Sequence, residues 1–364
     1  MLPPGKEPAG RDPSPVSAPD RRVLALLGGL CLFLSVIEYL VPKPLPFMRI
    51  GLANLPLLLA LDLFPAGEFA LLVLVKVFSQ GIVSGTLFSW VFLFSLAGTA
   101  SSAVVMYGLR RLAGKRSGFA GLGAAGAFLS NAVQLVLARY VVFGPQVRYL
   151  VPPFLASGVV CGFALGLFCE YFAARSKWYG VFRSPGAGKS AAPPSAPACR
   201  DPQMPAPQSP LRGADARRER WDRLFPPGDL CAAGLLMMCF FLFNPSTVSR
   251  AVQFLFFTVL ALLSGRKINP LVTLPVMLGI VFFNLLAPYG RVLAEWGFFR
   301  VTEGALAAGL GRAVTLEGLF MLSGACIRPG LRFPGGTGAL IAESLGVMGT
   351  LREKKLSLKP GHII

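Results

Sequence analysis

The sequence predicts an all-α polytopic membrane protein. Of its 364 residues 54% are hydrophobic and only 14% are charged, and the apolar residues fall in long blocks. A water-soluble domain usually carries about 25% charged residues, so this chain has too little charge to coat a soluble surface. The blocks approach the ~20 residues that a helix needs to cross a bilayer. The formal net charge of +18 would point to nucleic acid in a soluble protein. In a polytopic one it is the basic excess of cytoplasmic loops, so the expected surface partner is membrane lipid and no nucleic acid.

Residues 1–22 are polar and proline-rich, which predicts a disordered tail and no signal peptide. Arg21 and Arg22 open the first span. Six apolar segments follow within a domain at 23–173, at about 23–41, 50–64, 68–85, 87–109, 118–142 and 149–173. The second, Ile50–Phe64, is short enough to be tilted or partly inserted. Residues 174–228 hold eight prolines from Pro185 to Pro210 and a basic run of Arg217, Arg218, Arg220 and Arg223. Such a composition buries no core and predicts a disordered cytoplasmic linker. The last domain, 229–364, carries four apolar segments at about 229–243, 247–264, 270–288 and 303–327. It ends in an amphipathic segment, 335–352, with Leu340, Ile341, Leu345, Met348 and Leu351 near one face. That segment is expected on the cytoplasmic membrane surface or against the bundle.

Basic residues recur before the first span, at Arg110, Arg111, Lys115 and Arg116, through the linker, at Arg266 and Lys267, and from Arg328 to Lys359. Even numbers of predicted spans separate these sites, so all are cytoplasmic together. The orientation expected is a cytoplasmic (inner) membrane protein with both termini cytoplasmic. Lys43, Arg49, Arg148, Arg291 and Arg300 are the outside exceptions.

Most catalytic chemistry is excluded. The one histidine, His362, supports neither a triad nor a multi-histidine metal site. The seven cysteines contain no CxxC, so no zinc site or disulfide framework is indicated. Gly188-Lys189-Ser190 ends like a phosphate-binding loop, but Arg183 stands where the first glycine belongs and Pro193 and Pro194 follow. No DDxxD run exists to hold magnesium on a diphosphate. The chain is expected to have no catalytic residue, no metal and no cofactor, and not to be an enzyme.

What remains is polar residues inside spans. A charge at a helix centre costs about 2.5–3.5 kcal/mol on insertion scales, so it faces protein or water. Lys76 and Gln80 lie one turn apart in the third segment, and Asn131 and Gln134 are an i, i+3 pair in the fifth. With Asn54 and Arg49 of the second, they are the candidate lining of a pocket with positive character. The plainer alternative makes Asn131 and Gln134 interhelical glue. Gly158, Gly162 and Gly166 repeat every four residues, as do Ala25 and Gly29. Such stripes let helices approach closely, either within the bundle or against a separate membrane partner.

Residues 22–173 resemble the Gx transporter family, also labelled heptaprenyl diphosphate synthase component I. The resemblance rests on Arg49-Ile50-Gly51-Leu52-Ala53-Asn54-Leu55-Pro56, on Lys76, on Ser84-Gly85-Thr86-Leu87-Phe88-Ser89, on Ser95-Leu96-Ala97-Gly98, and on Asn131 and Gln134. That family looks like the six-helix substrate-binding (S) components of energy-coupling-factor transporters. Residues 229–352 resemble the transmembrane (T) component of the same transporters, through Phe299-Arg300-Val301-Thr302-Glu303-Gly304-Ala305-Leu306 and on to Arg312 and Leu319–Ser323. Glu303, Arg312 and Glu343 are then the coupling candidates, although no Ala-Arg-Gly or Ala-Arg-Ser tripeptide follows residue 300. The resemblances imply a fused subunit with a six-helix S-like bundle and a four-helix T-like region. They imply a vitamin-like, isoprenoid, quinone or flavin-related small-molecule substrate, and separate ATPase subunits as partners. The competing readings are a membrane partner of prenyl diphosphate or quinone synthesis, and a non-catalytic membrane scaffold.

Overall fold

A computed structural model describes residues 18–40, 51–114, 117–176, 179, 221, 225–244, 246–265, 270–296, 299–327, 331 and 335–357. Arg49, the Walker-like string, His362 and nearly all of the 174–228 linker lie outside the described residues. The chain is an all-α polytopic membrane protein. Its helices are α1 (Ala18–Leu40), α2 (Leu55–Ala60), α3 (Ala66–Ser84), α4 (Trp90–Ala113), α5 (Phe119–Ala138), α6 (Val151–Arg175), α7 (Pro227–Phe243), α8 (Thr247–Leu263), α9 (Pro270–Leu285), α10 (Glu303–Cys326) and α11 (Gly335–Ser357). Helices α3, α4, α5 with its following turns, α6 and α10 are long and apolar enough to cross a membrane.

The structure departs from the predicted run of spans in three places. The second segment is not a continuous helix. A 3-10 turn over Leu52–Asn54 leads into the six-residue α2, with Gly51 in the left-handed region at φ 86° and Pro56 in the first turn of α2. Proline suits a first helical turn because its missing N–H is an orphan there anyway. Helices α7, α8 and α9 are short apolar helices. Between α9 and α10 stands an antiparallel hairpin, β1 (Val292–Trp296) and β2 (Phe299–Thr302), with Glu295 opposite Arg300. Its strands are too short for periodicity to separate them from a loop, although Gly297-Phe298 between two apolar runs is a hairpin signal.

Glycines set the closest packing in the first half. A Cβ on Gly162 would stand 2.4 Å from the carbonyl oxygen of Gly123. One on Gly166 would stand 2.3 Å from that of Phe119, and one on Gly158 would strike the Asn131 amide. The whole α6 stripe therefore faces α5, and its carbonyls and side-chain amide fill the space that side chains would take. The Ala25–Gly29 stripe of α1 faces α11. Ser344 and Val347 of α11 lie against Gly28 and Gly29, and Leu340 and Ile341 are buried in the core formed by α1, α2 and α3. Arg21 donates to the Gly336 carbonyl at 3.4 Å, so α11 runs parallel to α1 from its start.

Helix α10 is the centre of the second half, packed by α7, α8 and α9. Two polar joints tie it to the first half. The Phe88 N–H donates to Ser323 Oγ at 3.0 Å, and that hydroxyl donates to the Gly85 carbonyl at 2.9 Å. Three turns earlier, Arg312 donates to Asn284 Oδ1 at 2.5 Å, while Asn284 Nδ2 donates to the Ile280 carbonyl at 2.7 Å and the Val142 carbonyl at 3.2 Å. Gly85–Phe88 joins α3 to α4 and Val142 lies between α5 and α6. Both turns sit at one end of the antiparallel first-half helices. Ser323 and Arg312 are about 16 Å apart along the α10 axis, so one helix reaches both turns.

Ser323 is fully buried and serves two backbone groups of the first half. Ser323→Val leaves both unsatisfied, at about 1–3 kcal/mol each. Thermal unfolding in detergent should show a clearly lower midpoint for Ser323→Val. Ser157→Ala, which removes a bond within one helix, should change it little.

Candidate functional site

Lys76 sits mid-way along α3 with only 3% of its surface exposed. Val75 and Val77 on either side are equally buried, so the α3 face that carries Lys76 is protein-facing, as the cost of a lipid-facing ammonium requires. Its Nζ donates to Asn54 Oδ1 at the end of the 3-10 turn. The turn is closed by the Asn54 N–H donating to the Gly51 carbonyl at 2.8 Å. At its other end the Gly51 N–H donates to Glu38 Oε1 at 3.0 Å. Glu38, near the end of α1, is 7% exposed. A Cβ on Gly51 would also lie 3.6 Å from Leu165 of α6. Three helices and one turn thus bring together an ammonium, a carboxamide and a carboxylate inside an apolar bundle.

Sequence reasoning placed Lys76, Gln80, Asn131, Gln134, Asn54 and Arg49 in one pocket and passed over Glu38. The signal for it was present: Glu38 is the one ionisable carboxylate in an apolar run that begins at Val23. Gln80 follows Lys76 by one turn and is half-buried. Asn131 and Gln134 lie on α5. Asn131 Nδ2 donates to the Phe154 carbonyl of α6 at 2.8 Å and fills the space over Gly158. Gln134 Nε2 donates to Ser130 Oγ at 3.0 Å and lies against Gly98 of α4. The i, i+3 offset turns one side chain toward α6 and the other toward α4, while α3 packs on α1 and α4. The pair bridges helices of the bundle, and no described hydrogen bond joins it to Lys76.

The coupling candidates also separate. Glu303, in the first turn of α10, and Glu343 on α11 are exposed. Arg312 is directed inward, onto Asn284 and against Gly144 of the first half. Asn284 was not singled out from sequence, although it is an amide inside an apolar segment.

At the opposite end of the first half a second polar group has a structural task. Arg110 holds Asp62 through two bonds of 2.7 Å, donates to the Ser117 carbonyl at 2.5 Å, and lies 5.3 Å from the Phe119 ring centre. The Tyr179 hydroxyl donates to the Leu59 carbonyl at 3.3 Å and to Asp62 at 3.5 Å. Arg110, expected among free loop cations, is thereby fixed. Glu170 of α6 accepts the Ala120 N–H at 3.1 Å, placing a carboxylate at the positive end of α5. Among the described residues no group of three or more His, Cys, Asp or Glu stands ready to hold a metal.

The fold and this site define a multi-pass membrane protein with a polar group buried in its first bundle. Residues 27–172 match the family described as heptaprenyl diphosphate synthase component I, so that family attaches to the N-terminal region. Residues 230–328 match a domain of unknown function, DUF8519, whose description names no activity. Comparison with curated proteins and with solved structures gave no match.

Arg110 and Asp62 are 12% and 11% exposed, so breaking the pair from one side costs less than the ~3–5 kcal/mol of a fully buried pair. Asp62→Ala removes the partner of Arg110 and should lower the unfolding midpoint. Small-molecule retention per folded protein should stay unchanged, which gel filtration followed by mass spectrometry would check.

Proposed function

We propose that the chain is a non-catalytic membrane subunit that holds a small molecule in its first half, around Lys76, Asn54 and Gln80. In this reading the second half is the coupling region of an energy-coupling-factor-type uptake system, with ATP hydrolysis supplied by separate subunits. The membrane is the cytoplasmic one, with both termini inside. The observation that carries the reading is the buried Lys76–Asn54 contact beside an interrupted helix. Membrane proteins keep non-helical backbone at depth where it is enclosed by protein or lines a cavity, and broken helices are where many transporters bind substrate. A scaffold gains little from burying an ammonium that costs several kcal/mol.

A second reading follows from the family description of residues 27–172. The chain then serves as the membrane partner of an enzyme of prenyl diphosphate synthesis, its polar group holding the product or fixing the partner. Both readings make the chain one subunit of a complex.

The first test is mass spectrometry of small molecules released from purified protein. Lys76→Met should remain inserted and folded yet lose the molecule that wild type retains, at least tenfold. A variant that retains it undiminished makes Lys76 a structural residue.

The second test concerns coupling. ATPase subunits should co-purify with the full-length chain and be lost from one truncated after Pro329, which removes α11. Equal recovery from both takes the coupling role from α11. Recovery of a prenyl synthase in place of ATPases favours the second reading.

A further inference from the structure

We infer that Glu38 is the second polar arm of the Lys76 site, and that it restricts the site to neutral or zwitterionic small molecules and turns phosphate esters and diphosphates away. The inference rests on the reading of Lys76 as substrate-binding and adds to it the class of molecule bound.

Glu38 and Lys76 are tied to opposite ends of the same turn. The carboxylate takes the Gly51 N–H at 3.0 Å, and the ammonium is held by Asn54. The turn is closed by the bond from the Asn54 N–H to the Gly51 carbonyl at 2.8 Å. The Cα atoms at the two ends of such a turn stand within about 7 Å of each other. Among the described residues, one turn thus carries a positive group, Lys76, at one end and a negative group, Glu38, at the other.

Supporting the Gly51 N–H does not by itself call for a charge. A glutamine oxygen accepts the same bond and is cheaper to place in a span than a carboxylate. The charge thus has a task beyond the turn. A ligand with a carbonyl or carboxylate toward Lys76 and an N–H or cationic group toward Glu38 meets both groups. A diphosphate brings at least two negative charges to a turn whose described polar groups already include one carboxylate beside one ammonium. In a low-dielectric interior that repulsion is barely screened.

The test uses full-length protein in detergent and radiolabelled farnesyl diphosphate as the probe. Wild type should bind it weakly. Glu38→Gln, which keeps an acceptor for Gly51, should bind it at least tenfold more tightly. Glu38→Asp, which keeps the charge, should remain as weak as wild type, and the gain should vanish in Glu38→Gln with Lys76→Met. No gain in Glu38→Gln, or wild-type binding as tight as that variant's, overturns the inference. A purely structural Glu38 would change stability and leave probe affinity where it was. Wild type alone provides a second readout through the small molecules it retains. A phosphorylated molecule held through Lys76 overturns the inference but leaves the substrate reading standing. Retention that ignores Lys76 removes the substrate reading itself.

Discussion

The hydrocarbon core of a bilayer offers no hydrogen bonds, and the architecture follows from that constraint. Each polar group that leaves a helix ladder must be met by another group of the same chain. The interrupted second segment obeys it through the turn from Gly51 to Asn54, whose ends are met by Glu38 and Lys76. The breaks after α3 and α5 obey it through the second half. Ser323 serves Gly85 and Phe88, and Asn284 serves Val142. The two halves are held together where the first half's backbone most needs partners. Apolar packing of Phe94, Leu135 and Phe154 against Ile280, Ala313 and Leu316 surrounds the Asn284 joint and keeps it dry.

The long helices were legible because hydropathy in a membrane protein reports the solvent directly. The predicted segment 303–327 and the observed Glu303–Cys326 differ by one residue. The second segment's shortness was read as tilt or partial insertion, and the break that the structure shows at the 3-10 turn before α2 was not read. The hairpin at 292–302 was not, since strands of five and four residues carry too little periodicity. The site was legible in part. A lysine amid valines announces itself, and Asn54 was grouped with it. The pairing of Asn131 and Gln134 with Lys76 assumed that polar residues in different spans converge. Helix adjacency decides that, and adjacency is a tertiary property: α5 is sandwiched by α4 and α6. The inward course of Arg312 was hidden for the same reason, because the groove that receives it is made by Gly144 of the other half.

Small residues acquired meaning only with their partners named. The stripe of Gly158, Gly162 and Gly166 is as compatible with a foreign helix as with a neighbour until the carbonyls of Phe119 and Gly123 are seen against it. Once seated, α5 and α6 meet backbone to backbone at Gly162 and Gly166, and the Asn131 amide held over Gly158 is bonded to the Phe154 carbonyl, so little is left between them to change rotamer. Any rearrangement that opens the polar group around Lys76 falls to α1, the Gly51–Asn54 turn and α3, which meet through side chains.

The lie of α11 along α1 bears on how the protein is made. A ribosome delivers α11 more than 290 residues after α1. Throughout that interval the face around Gly28 and Gly29 has no permanent cover, and the core around Leu24 and Leu72 is open on the side that Leu340 and Ile341 eventually close. The nascent chain thus carries an open strip on α1 until α11 arrives. Maturation of the first half is timed by the arrival of the second.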